Sequence, residues 1–416
     1  MTSINLVAAV LFGIAVLHTF AAGQLERLSR RFPRHAGLFH LLGEIEVVFG
    51  FWAMVLVTTL AVMAGADSAI AYVESRQYTE PMFVFVIMVI AASRPVLEAL
   101  RALVDLLARA APVATPLATA WLCLALLPLL GSLVTEPAAM TLAALLLAPT
   151  VFRPGMPEWL KYFALGVLFV NVSIGGTLTS YAAPPVLMVA SAWGWDSAFM
   201  AKTFGWRAAL AVVVNATAAV LLMRRHLTAA QRSDEPDGRA PMPVFVSIIH
   251  LLFLAAVVAV AHHPAMFIGL FLFFLGFTKA YERYQQPLLI KEALLVAFFL
   301  AGLVVLGGMQ QWWLQPIVSG LDPGALFWGA AALTAVTDNA ALTYLGSLID
   351  GLSDAAKYSL VAGAVAAGGL TVIANAPNPA GVALLRPGFR DGAIGPGRLL
   401  LGALAPTAVA AAAFLL

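Results

Sequence analysis

The chain is built of long apolar runs separated by short polar ones, a pattern unlike the alternating faces of a soluble protein. Windows of ~20 apolar residues read as membrane-spanning helices. They fall at roughly residues 3–22, 39–65, 80–97, 159–190, 203–223, 243–261, 264–280, 286–307, 353–385 and 398–416. The first run has no Lys or Arg ahead of it, so it lacks the charged start of a signal peptide and reads as a membrane helix. Two further apolar stretches, 114–150 and 324–350, are interrupted by polar clusters. Each is too long for one crossing and too short for two. The pattern therefore predicts a re-entrant hairpin at each, turning at mid-membrane where protein or a polar cavity satisfies the backbone.

The interruptions are alike. One reads Thr135-Glu136-Pro137-Ala138-Ala139-Met140-Thr141, the other Thr337-Asp338-Asn339-Ala340-Ala341-Leu342-Thr343. An acid within an apolar span costs at least ~2.5 kcal/mol on the most lenient insertion scale. Two acids in one local setting read as two halves of a single ion-handling site.

Composition agrees with the pattern. Of 416 residues, 62% are hydrophobic and 11% charged, far from the ~25% charged of a soluble domain. The expected class is an all-α polytopic membrane protein of about ten transmembrane helices. A net charge of +2 without a basic stripe gives no footing for nucleic acid. The single cysteine, Cys123, excludes an intramolecular disulfide framework and a cysteine metal site.

Charge placement orients the chain. With the N-terminus outside and both interrupted stretches re-entrant, only Arg76, Lys202, Arg207 and Lys357 stay outside. The other 19 of the 23 basic residues are cytoplasmic. If either stretch crossed once, this asymmetry would collapse. The same topology predicts two inverted repeats, residues 1–223 and 244–416, joined by a polar cytoplasmic linker at 224–243. Residues 94–109 form an amphipathic segment, with Val96, Leu100, Leu103 and Leu107 on its expected apolar face.

A second pair of features repeats between the halves. Gly175-Gly176 followed by Ala183-Pro184 matches Gly368-Gly369 followed by Ala376-Pro377. Proline removes a backbone donor and clashes with the preceding turn, so neither segment continues as a straight helix. The structural breaks are thus placed at Gly175, Gly176 and Pro184, and at Gly368, Gly369, Pro377 and Pro379. Unwound segments expose carbonyls to a cation, and weak inverted internal similarity is a mark of secondary transporters.

Chemistry follows from these positions. Burial in a low dielectric favours the neutral form of a carboxyl, and an ionised carboxylate is a hard ligand for a small cation. A group holding either H⁺ or Na⁺ is the minimum machinery for exchange, which Glu136 and Asp338 are expected to supply. No Lys or Arg falls inside a hydrophobic segment on this reading, so a basic partner for either acid is hard to find. Asn339, Asn375 and Asn378 add amide oxygens; Thr135, Thr141, Thr177, Thr179, Thr337, Thr343 and Thr371 add hydroxyls. Pro137 shapes a turn. Sodium is expected at Asp338, Asn339, Asn375 and Asn378, the ligand-richer half. Glu44 and Glu46 open the second span as possible accessory acids. No P-loop, Rossmann or His-Glu-x-x-His pattern occurs in a fitting context, so neither an enzyme nor a cofactor is expected. An intramembrane aspartyl protease needs Tyr-Asp and Gly-x-Gly-Asp contexts, and neither acid has one.

The segments His40-Leu41-Leu42-Gly43-Glu44-Ile45-Glu46-Val47-Val48-Phe49-Gly50, Thr337 to Thr343 and Asn375-Ala376-Pro377-Asn378-Pro379-Ala380-Gly381 resemble the ion-transporter superfamily of secondary carriers. Within it they resemble the Putative Na⁺/H⁺ antiporter family. The resemblance implies exchange of Na⁺ (or Li⁺/K⁺) for H⁺ across the bacterial inner membrane by a lipid-embedded homodimer. Hairpins and broken helices would form a moving unit against a scaffold. Relatives carrying dicarboxylates have Ser-Asn-Thr tips where this chain has acids, which favours a cation. An organic-anion or arsenite-type carrier on the same fold is the alternative.

Overall fold

A computed structural model describes residues 3–227 and 242–416. Among the described residues the chain is helical throughout, without strands. In order the α-helices are α1 (Ser3–Arg31), α2 (Ala36–Gly43), α3 (Ile45–Ala64), α4 (Ala66–Glu74), α5 (Thr79–Ala91), α6 (Arg94–Ala110), α7 (Thr115–Leu124), α8 (Leu126–Val134) and α9 (Glu136–Leu147). There follow α10 (Glu158–Gly175), α11 (Pro184–Trp193), α12 (Ser197–Met200) and α13 (Trp206–Leu227). Beyond the linker come α14 (Val244–Ala259), α15 (Pro264–Ala280), α16 (Ile290–Gly307), α17 (Gln311–Val318) and α18 (Pro323–Thr334). The chain closes with α19 (Asn339–Ser347), α20 (Asp354–Ala366), α21 (Asn378–Leu385) and α22 (Pro396–Leu415).

Among the described residues, six helical segments are long and apolar enough to cross a membrane, and two bent pairs raise this to eight. The expected spans at 243–261 and 264–280 form the shorter apolar helices α14 and α15. The span expected at 39–65 is divided at Glu44, whose extended backbone separates α2 from α3. Most of the expected linker lies outside the described residues; Arg224 to Leu227 belong to the end of α13.

The helices sort into two compact units, each drawing on segments from before and after the linker. The smaller comprises Met1–Phe85, Ile290–Leu321 and Tyr344–Ser353. There α3 packs on α16, with Phe49 edge-on to both Phe12 and Phe299 at 5.9 and 5.2 Å. Tyr72 and Tyr344 donate their hydroxyls to the Val305 and Val304 carbonyls.

The larger unit comprises Val86–Leu289, Asp322–Thr343 and Asp354–Leu416. Its centre is α10, buried over nearly its whole length and packed on α8, α9, α13, α20 and α22. Lipid tails are as apolar as leucine, so such packing rests on close contact and hydrogen bonds rather than on water exclusion. In α6 the buried stripe is Val96, Leu100, Val104 and Ala108, whereas Leu103 and Leu107 are exposed. The inward face is thus an i, i+4 row, rotated from the face expected from sequence.

Both predicted breaks are present. After α10, residues 176–183 leave the α-helix, and Pro184 and Pro185 open α11 where missing N–H groups cost nothing. After α20, residues 367–377 unwind before α21. Both interrupted stretches fold as helix, tip, helix: α7–α8, Thr135, α9; and α18, residues 335–338, α19.

Candidate functional site

Glu136 opens α9 and is completely buried. The residue before it, Thr135, has φ +89° and is the only non-glycine with positive φ among the described residues. For a β-branched residue this is a strained backbone, of order 1–3 kcal/mol, held only where its surroundings over-determine it. Glu136 Oε2 accepts a hydrogen bond from Asn375 Nδ2 at 2.9 Å, while Oε1 has no protein donor. Gly176 of the first break lies directly beneath it. A Cβ on Gly176 would stand 2.5 Å from Oε1, so only glycine permits this approach.

The second tip is built differently. Asp338 is half-buried and caps α19, its Oδ1 accepting from the N–H groups of Ala340 (2.8 Å) and Ala341 (3.1 Å). Asn339 is fully buried and donates its backbone N–H to the Ala374 carbonyl in the second break at 3.1 Å. Its side-chain amide has no protein partner on either atom. Asn378 Nδ2 donates to the carbonyls of Gly368 (2.8 Å) and Thr371 (2.9 Å), repairing backbone freed by the break.

These contacts leave a set of buried oxygens without protein donors: Glu136 Oε1, Thr135 Oγ1, Asn339 Oδ1, Asn375 Oδ1 and Asn378 Oδ1. Buried polar atoms in proteins are nearly always satisfied. Oxygens so withheld, from a carboxylate, a hydroxyl and amides, are the donor types a hard cation takes. The N-termini of α9, α19 and α21 begin at Glu136, Asn339 and Asn378, and such ends favour negative charge.

Other expected residues have plain structural roles. Thr177, Thr337 and Thr343 donate to carbonyls of their own segments. Thr179 donates to the Ser132 carbonyl and Thr371 to that of Ala335, each tying a break to a tip segment. Thr141 is half-buried on α9. Glu44 and Glu46 belong to the smaller unit, where Glu44 pairs with Lys291 at 3.7 Å.

Lys161 departs from the expectation that no basic side chain lies within a hydrophobic segment. It is buried in α10, yet its partners are the Gly388 carbonyl (2.6 Å) and Glu158 (3.4 Å). Three polar residues went unnoticed in the sequence. Ser132 donates to the Gly175 carbonyl and accepts from Leu178 N–H, bridging α8 to the first break. Ser173 donates to the Val365 carbonyl, joining α10 to α20. Asn171 serves the carbonyl left free by Pro128, donating to Leu124 at 2.8 Å. Each is a polar residue within an apolar stretch, the same kind of signal that marks the acids.

Fold and composition define a multi-pass helical membrane protein. The chain belongs to the Putative Na⁺/H⁺ antiporter family, whose model matches residues 3–416. It is accordingly a transporter rather than an enzyme. No curated protein matches the chain.

Proposed function

We propose that this protein exchanges Na⁺ (or Li⁺/K⁺) for H⁺, with Glu136 as the carboxylate that carries one or the other. The observation that carries the reading is the burial of Glu136 with a single protein donor, amid orphaned oxygens of Thr135, Asn339, Asn375 and Asn378. A proton on Glu136 removes the charge that attracts the cation; a cation on Oε1 keeps the carboxyl ionised. Competition for one group couples the two fluxes. Asp338, on the second tip, holds the end of α19 and adds a second acid to the reading. This departs from the weighting drawn from sequence alone, in which Asp338, Asn339, Asn375 and Asn378 form the cation shell.

The reading extends to ten crossings of the bacterial inner membrane, two inverted repeats with re-entrant hairpins, and a homodimer. Family membership and the two helix–tip–helix segments with their broken partners support it. Everted vesicles test it. Na⁺ should collapse a preformed ΔpH in the wild type and not in Glu136→Gln. Normal exchange in that variant would sink the proposal.

A second reading has one observation in its favour. Three helix N-termini begin at the site, as an organic-anion or arsenite-type carrier would use. Glu136 itself is the anion those ends meet, which favours the cation. Anion-driven uptake without proton movement would reverse that choice.

A further inference from the structure

Away from the candidate ion site, a groove of about 540 Å³ opens on the larger unit where α10 and α22 begin and α13 nears its end. Its walls are Trp159 and Phe163 of α10, Leu222 of α13 and Leu401 of α22. Trp159 is 61% exposed and Leu401 69%, so the trough is open along its side. At its mouth stands Arg398, exposed, with its guanidinium 6.0 Å from the Tyr162 ring centroid. Arg398 forms no ion pair among the described residues.

Glu158 also lines the groove, but its charge is already matched. Its Oε1 accepts from Arg390 N–H at 2.8 Å and faces Lys161 Nζ at 3.4 Å. Arg398 is the one cationic side chain among the groove's lining residues. An apolar trough with an arginine at its mouth, flanked by an exposed tryptophan, matches one amphiphile best.

We propose that this groove binds an anionic phospholipid, its phosphate at Arg398 and an acyl chain along Trp159, Phe163, Leu222 and Leu401. A zwitterionic lipid would bring its own cation against Arg398. Inorganic phosphate would gain nothing from the apolar walls. The proposal stands independently of which ion is transported.

The test uses the purified full-length protein in detergent, with thermal unfolding followed during titration of phosphatidylglycerol or phosphatidylcholine of identical acyl chains. One basic side chain near the headgroup corresponds to about fivefold tighter binding of the anionic lipid. Phosphatidylglycerol should therefore raise the unfolding midpoint at about fivefold lower concentration. Arg398→Gln should erase that preference while leaving the phosphatidylcholine response, and Arg398→Lys should keep it. Equal responses in the wild type, a preference intact in Arg398→Gln, or displacement of the lipid by inorganic phosphate would overturn the proposal. Should Arg398→Gln not yield folded protein, Leu401→Gln carries the test: it must weaken both lipids, and unchanged binding refutes the site.

Discussion

Asn375 and Glu136 lie 239 residues apart, yet the Asn375 amide donates to the Glu136 carboxylate at 2.9 Å with both side chains buried. The bond joins the break of one half of the chain to the tip of the other. It uses the amide nitrogen, and the Asn375 amide oxygen is buried without a protein donor. On the proposed function, one residue both steadies the carboxylate and supplies a ligand oxygen.

Asn375→Ala removes both contributions. A hydrogen bond to a charged group is worth about 1.5–3 kcal/mol, or more than tenfold in affinity. The Na⁺ concentration for half-maximal exchange in proteoliposomes is expected to rise at least that much. Asn375→Asp should not rescue it, because a third carboxylate would stand beside Glu136. An unchanged Na⁺ dependence in Asn375→Ala would remove this residue from the site.

Asp338 separates two roles by substitution. Asn caps a helix about as well as Asp, whereas Ala costs about 1 kcal/mol. Asp338→Asn should keep thermal stability and weaken Na⁺ dependence through the lost charge. Asp338→Ala should weaken both. Complete loss of exchange in a stable Asp338→Asn protein would move the central role from Glu136 to Asp338.

The acids, tips and breaks were legible in the sequence because each places a polar or helix-breaking residue where an apolar one is cheaper. Glu136, Asn375 and Asn378 are fully buried, as their cost in an apolar run implied. Partnership was not legible. Neighbourhood in sequence set Asp338 opposite Asn375, but the fold gives the Asn375 amide to Glu136 and makes Asp338 a helix cap. Such pairings depend on how α9, α10 and α21 cross, which no local pattern encodes. Lys161 was hidden for a related reason: a lysine at a helix start reads as solvated until the Gly388 carbonyl is seen to receive it. The Thr135 backbone was also invisible, since threonine is a poor choice for positive φ on local grounds.

That strain yields its own expectation. Thr135→Gly accommodates φ +89° without a Cβ and should raise the unfolding midpoint, the released strain being of order 1–3 kcal/mol. It also deletes a buried hydroxyl oxygen of the proposed cation shell, so Na⁺ affinity should fall. Thr135→Val keeps the strain and loses only the hydroxyl. It should match the glycine variant in affinity and lack its added stability. A glycine variant less stable than the wild type would show that the tip conformation carries no strain.

The last expectation concerns the 43° bend between α7 and α8. Pro128 has no N–H to offer the Leu124 carbonyl four residues earlier. Asn171 supplies the missing donor at 2.8 Å, and Asn215 in turn donates to the Asn171 oxygen at 3.0 Å. Asn171→Leu strips this buried chain and should destabilise the protein by about 1–2 kcal/mol, the upper range for polar contacts inside membranes. Pro128→Ala restores a backbone donor for Leu124. If the amide exists to repair the proline, the double variant should lose less stability than the two single losses combined, as thermal unfolding in detergent would read out. Strict additivity would mean that Asn171 serves α13 alone and that the bend at Ala125 needs no support from it.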